Sequence, residues 1–420
     1  MPNTVLKYLK EYGDYTFMEK PMNDVDSLAL CQLCYLKFDG MVPDLSENKD
    51  FVSMRQVADH ANYEHLFADE RFARDNRALF EAMLESSRFG GMRMNFYVDI
   101  VETDRETQFS AITFLLEDQT VYIACRGTDE TIVGWKEDFN MAFLFPVPGQ
   151  ELCLDYMCRV AERIPGTFYV GGHSKGGNLA VYAAMMCPGQ IRERIRKVYS
   201  MDGPGFRPEI REKCGYEKIA DRIVKILPHS SVIGMLFETD TRYRVVESRS
   251  FGLLQHDPYT WLVEGDHFVY VDDLYEIRRF TDGTINEWIL SLNEEQLRTF
   301  VDTLYQVVSA SKAENLIDFT ADWHKNMNAV ILALREVDED TVRVLKAVVR
   351  ALFDLGLERL KRQRAENGRF RPGGAHTGKI RPGEAHAGRV RPGGAHTARG
   401  QKRQAGDCRR FPPTGSVDSP

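Results

Sequence analysis

One junction limits what this chain can become more than any other stretch. The β-rich run TFYVG (167–171) meets Gly172-His173-Ser174-Lys175-Gly176, and the helical run NLAVYAAMM (178–186) follows directly. A strand, a tight glycine-flanked turn and a helix in immediate succession belong to an α/β architecture. Gly172 and Gly176 remove Cβ atoms where neighbouring backbones come close, and Gly177 lets the helix lie tight on the sheet. The rest of the central chain agrees. MNFYVDIV (94–101), FSAITFLL (109–116), VYIAC (121–125), KVYSM (197–201), IVKILP (223–228) and YRVVES (243–248) read as strands, and 152–164 and 175–186 as helices. Strands alternating with helices indicate a mainly parallel sheet covered by helices on both faces.

Residues 1–92 read as a helical lead-in packing on that core. Val25–Phe38 has a helical apolar pattern behind the capping candidates Asn23 and Asp24. Phe72, Leu79, Phe80 and Met83 form the stripe of a second helix that Gly90-Gly91 ends. The α/β core spans 93–292, and a helical segment follows over 293–360. Residues 361–420 differ in kind: RPGGAHTGKI, RPGEAHAGRV and RPGGAHTARG are three copies of a ten-residue unit with almost nothing to pack. A disordered basic tail is expected there, and His376, His386 and His396 lack the rigid frame a metal site needs.

Charge is divided unevenly. After Leu360 there are 14 Lys and Arg against 4 Asp and Glu, a net +10, which leaves −18 on residues 1–360. An acidic body excludes nucleic acid as a partner of the core, whereas the tail suits weak contact with an anionic membrane surface. The N-terminus lacks the apolar stretch of an export signal, and no apolar run reaches the roughly 18 residues of a membrane span. Eight unevenly spread cysteines do not make a disulfide framework, so a reducing cytoplasm is the expected compartment. Cys31-Gln32-Leu33-Cys34 is a CxxC inside an apolar helical stripe with no second pair at zinc-site spacing, and reads as core.

The chemistry centres on Ser174. A serine at a strand–helix elbow is held in a strained, exposed position, and the Lys175 N–H at the helix start faces a developing oxyanion. A base and an orienting carboxylate must come from loops after later strands. His256, on the polar loop after the last core strand, fits the base. His229 lies one strand too early, and His267 sits in an apolar stretch that suggests packing. Asp202 follows KVYSM at a Gly-Pro turn and is the first candidate for the acid, with Asp240 and Asp257 as rivals. Thr128, after VYIAC in Arg126-Gly127-Thr128, is the second oxyanion donor. Trp135, Phe139 and Phe143 are candidates for a lid presenting apolar side chains to an acyl chain.

Together ACRGTD, GWKEDF, GGHSKGGNLAVYAA, DGPGF, PHSSVIGML and QHDPYTW resemble a bacterial lipase-like family related to class 3, or fungal-type, triacylglycerol lipases. The resemblance runs from about Leu6 to Val308. It implies an α/β-hydrolase fold, with Ser174 matching the nucleophile, Thr128 the oxyanion residue, and Trp135 and Asp138 the lid segment. Class 3 lipases keep their acid on the loop where this chain has Ser230-Ser231, so the resemblance implies an acid that has migrated to Asp202. Lys175 replaces an apolar residue and is expected to place a cation beside the site. Ester hydrolysis on a small acyl ester or lipid, with no metal or organic cofactor, is the implied activity. A catalytically silent hydrolase-like scaffold binding a lipid or protein partner is the alternative, and the oligomeric state is left open.

Overall fold

The computed structural model describes residues 3–47, 49–68, 72–128, 137, 140–141, 144–229, 231, 233–238, 242–250, 252–271 and 298. Apart from Arg298, the expected helical segment 293–360 and the basic tail 361–420, with its membrane contact, lie outside the described residues.

The centre is a nine-stranded sheet in the order β1-β2-β3-β4-β5-β6-β7-β8-β11. Its strands are β1 (Val52–Ser53), β2 (Arg93–Glu102), β3 (Thr107–Leu115), β4 (Val121–Cys125), β5 (Phe168–His173), β6 (Ile195–Met201), β7 (Ile223–Pro228), β8 (Tyr243–Val246) and β11 (Tyr270–Val271); β9 (Val263–Glu264) and β10 (His267–Phe268) pair apart from it. From β4 to β8 every pairing is parallel. The sheet as a whole is mixed, because β1, β2 and β3 run antiparallel into β4 and β11 runs antiparallel to β8. The cause lies in the connections: β2, β3 and β4 are joined by turns too short for a crossover helix, and only antiparallel strands can be joined that way.

Period-two alternation sends the sheet's side chains into two cores. On β4, Val121, Ile123 and Cys125 face one side and Tyr122 and Ala124 the other. The first side is covered by α5 (Pro148–Arg163) and α6 (Lys175–Met186). The second is covered by the N-terminal elements α1 (Val5–Tyr12), α2 (Asp24–Leu33) and α4 (Ala73–Glu85), with the short α3 (Met54–Ala58) between them. The result is a sheet between two helical layers, each burying many Leu, Phe and Met side chains worth roughly 1.5–3 kcal/mol apiece.

Local chemistry sets the helix limits. Asn23 caps α2 by accepting from the N–H groups of Val25 and Asp26, both at 2.9 Å, while the Asp26 carboxylate accepts from the Asn23 N–H at 2.9 Å. The helix ends at Leu33, short of the expected Phe38, because Tyr35 and Leu36 switch to bonds three residues back at 3.0 and 3.1 Å. Likewise α4 stops at Glu85, before Gly90-Gly91. Ser86 turns extended there, and its hydroxyl donates to the Met83 carbonyl and accepts from the Phe89 N–H. Cys31 and Cys34 are fully buried, against the Tyr122 hydroxyl at 3.2 Å and the Ala124 carbonyl at 3.3 Å. No helix among the described residues is long and apolar enough to cross a membrane.

Candidate active site

In a run of parallel strands the carboxyl ends share one edge of the sheet, and residues placed just beyond them converge. Ser174 beyond β5, Asp202 beyond β6, Ser231 beyond β7 and His256 beyond β8 do so here, and Thr128 stands beyond β4.

Ser174 caps α6 with φ 59° and ψ −133°, a conformation that costs a non-glycine residue about 1–3 kcal/mol. Two main-chain bonds hold it: its N–H donates to the Met201 carbonyl and its own carbonyl accepts from the Gly177 N–H, each at 2.9 Å. The flanking glycines serve close approach. A Cβ on Gly172 would strike the Gly176 backbone and the Cys125 carbonyl, and one on Gly176 the same carbonyl. A Cβ on Gly127 would lie 3.1 Å from the Ser174 Cβ, which shows how near the Arg126-Gly127-Thr128 loop comes to the serine.

His256 ends a 3-10 turn (Gly252–His256) after β8. Its Nε2 is 2.9 Å from Ser174 Oγ and its Nδ1 2.6 Å from Asp202 Oδ2. A carboxylate only accepts, so Nδ1 carries the proton and Nε2 is free to take one from the hydroxyl. Asp202, wholly buried, is the first residue past β6 and has φ 50°. Its N–H donates to the Ile226 carbonyl at 2.8 Å, and Oδ1 accepts from the Ser231 hydroxyl, which itself accepts from the Gly234 N–H at 3.0 Å. The loop after β7, where the class 3 resemblance would put the acid, thus supplies a hydrogen-bond donor to Asp202. Of the rival acids, Asp257 turns its carboxylate to the Tyr259 N–H at 3.0 Å, and Asp240 lies outside the described residues.

Sequence reasoning missed three supports. His173 is buried beside the serine, with Nε2 donating to the His256 carbonyl at 2.9 Å and Nδ1 3.1 Å from the Tyr35 hydroxyl. Ser231 is the second. The third is Gln255, whose side-chain amide donates to the Ser250 carbonyl and to His229 Nε2, both at 2.8 Å, and whose main-chain carbonyl accepts from Trp261 Nε1 at 2.8 Å. A histidine inside the elbow motif was the one visible signal; the Ser231–Asp202 and Gln255–His229 contacts join residues 29 and 26 apart in sequence. His267, expected to pack, is instead 60% exposed beside Asp266, because the β9–β10 hairpin turns it outward.

Thr128 is buried at the end of the loop beyond β4. The expectation that Lys175 places a cation beside the site is corrected. Its side chain enters the interior, where Nζ donates to Glu137 Oε2 at 2.8 Å, the Gln108 carbonyl at 2.9 Å and Gln108 Oε1 at 3.1 Å. Glu137 also accepts from the N–H groups of Gly149 at 2.8 Å and Gln108 at 3.0 Å, so the charge pair is closed within the protein. Its backbone N–H stays at the start of α6. Trp135, Asp138, Phe139 and Phe143 lie outside the described residues. Among the described residues no group of His, Cys, Asp and Glu is arranged to hold a metal ion.

No curated protein and no solved structure matches the chain. The Mbeg1-like family model matches residues 83–306, more than half of it and the whole stretch from β2 through β11. That match, together with an α/β sheet carrying a serine, a histidine and an aspartate in line at its carboxyl edge, makes the chain a member of the Mbeg1-like family, a lipase-like family of class 3 type.

Proposed function

We propose that the chain is a serine hydrolase on an α/β-hydrolase fold, cleaving an acyl ester of small-molecule or lipid type in a reducing cytoplasm. The observation that carries this reading is the unbroken line Ser174 Oγ–His256–Asp202, at 2.9 and 2.6 Å.

The Ser174 hydroxyl gives its proton to His256 Nε2 as Oγ bonds to the ester carbonyl carbon. Asp202 holds the imidazole in the required tautomer and stabilises the imidazolium. The N–H groups of Thr128 and Lys175 face the oxyanion, and the N-terminus of α6 adds its dipole. When the C–O bond to the leaving group breaks, His256 returns the proton to the departing alkoxide and an acyl-serine remains. Water then gives a proton to His256 and its oxygen to the acyl carbon, the C–Oγ bond breaks, and His256 returns that proton to Oγ, releasing the acid and restoring the serine. Trp135, Phe139 and Phe143 are proposed to meet the acyl chain.

Ser174→Ala is expected to abolish both hydrolysis of a p-nitrophenyl ester and labelling by a fluorophosphonate, with an unchanged melting temperature. Undiminished ester cleavage in that variant would end the reading. A folded wild-type chain inert to both reagents would favour a silent lipase-like scaffold.

A further inference from the structure

His173 is the last residue of β5, so its backbone moves only with the strand that carries Ser174. Its buried ring lies against the ring of His256, with centroids 4.6 Å apart and planes at 34°, and the edge of Trp261 closes another side at 6.5 Å. A main-chain carbonyl only accepts, so the 2.9 Å bond to the His256 carbonyl puts the proton on Nε2. In the neutral ring Nδ1 is then the acceptor for the Tyr35 hydroxyl at 3.1 Å. Neutrality matters, because a second cation this close would oppose the charge His256 gains. Tyr35 comes from the turn after α2, in the N-terminal layer. That layer also grips the loop that carries His256: the Tyr259 hydroxyl donates to Asn76 Oδ1 at 2.7 Å, and Phe72 packs against both Tyr35 and Tyr259. Tyr35, Phe72 and Asn76 all precede the segment matched by the family model.

We propose that Tyr35 and His173 are positioning residues that set the His256 imidazole against Ser174, so that the N-terminal layer completes the site. The inference rests on the hydrolase reading above. His173 ties the backbone of the base to the strand of the nucleophile through one rigid ring, and Tyr35 holds that ring from its Nδ1 side.

Three variants test it: His173→Leu removes the donor at similar volume, His173→Gln returns an amide N–H, and Tyr35→Phe removes one hydroxyl. His173→Leu is expected to lower kcat and the rate of Ser174 phosphonylation roughly 10- to 100-fold with little change in KM. His173→Gln should regain most of that loss, and Tyr35→Phe should fall between. In solution NMR the low-field Nδ1 proton of His256 should shift in His173→Leu and return in His173→Gln. A folded His173→Leu with wild-type rates and an unshifted resonance overturns the proposal, as does a Gln variant no better than Leu. Should His173→Leu not fold, the same readouts on Tyr35→Phe decide. A wild-type chain inert to the phosphonate removes the hydrolase reading alone, and the resonance still decides the positioning.

Discussion

Ser174 and Asp202 share a backbone rarity: both are non-glycine residues with positive φ, at 59° and 50°. Aspartate tolerates this region better than most residues, whereas at serine it is strain that the surrounding bonds must hold. Each stands immediately past a strand of the parallel run, so the conformation turns the side chain out of the sheet toward His256. If Asp202 fixes the tautomer, Asp202→Asn should keep the fold and lower kcat about 10⁴-fold, because an amide can stabilise the wrong tautomer. Steady-state ester kinetics check this, and a variant keeping a tenth of wild-type kcat would move the role to another carboxylate. Ser174 was legible from its strand–turn–helix setting. Asp202 and Asp257 both stand at turns, and only the distance to Nδ1 separates them.

At the scale of elements, charge pairs lock loops onto the sheet. Lys175 at the start of α6 holds Glu137, which also receives N–H groups from β3 and α5. Lys175→Met leaves a buried carboxylate without its cation and should cost about 3–5 kcal/mol in urea denaturation. Adding Glu137→Gln should recover part of that, since an amide needs no counter-ion and still offers an acceptor oxygen. A double variant no more stable than Lys175→Met would show that charge is not the cause. On β2, burial opposes ionisation of Asp99, yet Arg126 and Lys37 outweigh it and hold the carboxyl below its usual range. A depressed folded pKa stabilises the fold above the unfolded value of about 3.9, and that stability is lost as pH falls through the folded value. The stability gap between wild type and Asp99→Asn should therefore be full at pH 6 and close progressively below about pH 4 in pH-dependent denaturation.

Across the whole molecule, the two helical layers shut the sheet away from solvent. Burial pushes the Cys31 thiol up to about 12 and holds the Cys34 thiol well above its ordinary range. The contact with Cys153, and then burial, raise Cys125 similarly. Thiolates are the reactive species, so these three should escape iodoacetamide at neutral pH until the fold opens, while the less buried Cys158 and Cys214 react first. Peptide mass mapping over time checks this, and early modification of Cys31 or Cys34 would mean that the N-terminal layer opens independently of the sheet.

Strand runs such as 121–125 and 223–228 and the helix 175–186 were readable to the residue, because alternation and helical periodicity are local properties. The α/β class and the identity of the elbow serine followed from them. The antiparallel half of the sheet was harder to read, since a β-rich run does not state the direction of its neighbour; turn length decides it. What the fold alone decided is which distant side chains meet. Ser231 reached Asp202, Lys175 turned inward to Glu137, and Tyr35 arrived beside His173 across more than a hundred residues. Such pairings depend on how layers stack and where strand ends converge, and no periodicity in the chain encodes them.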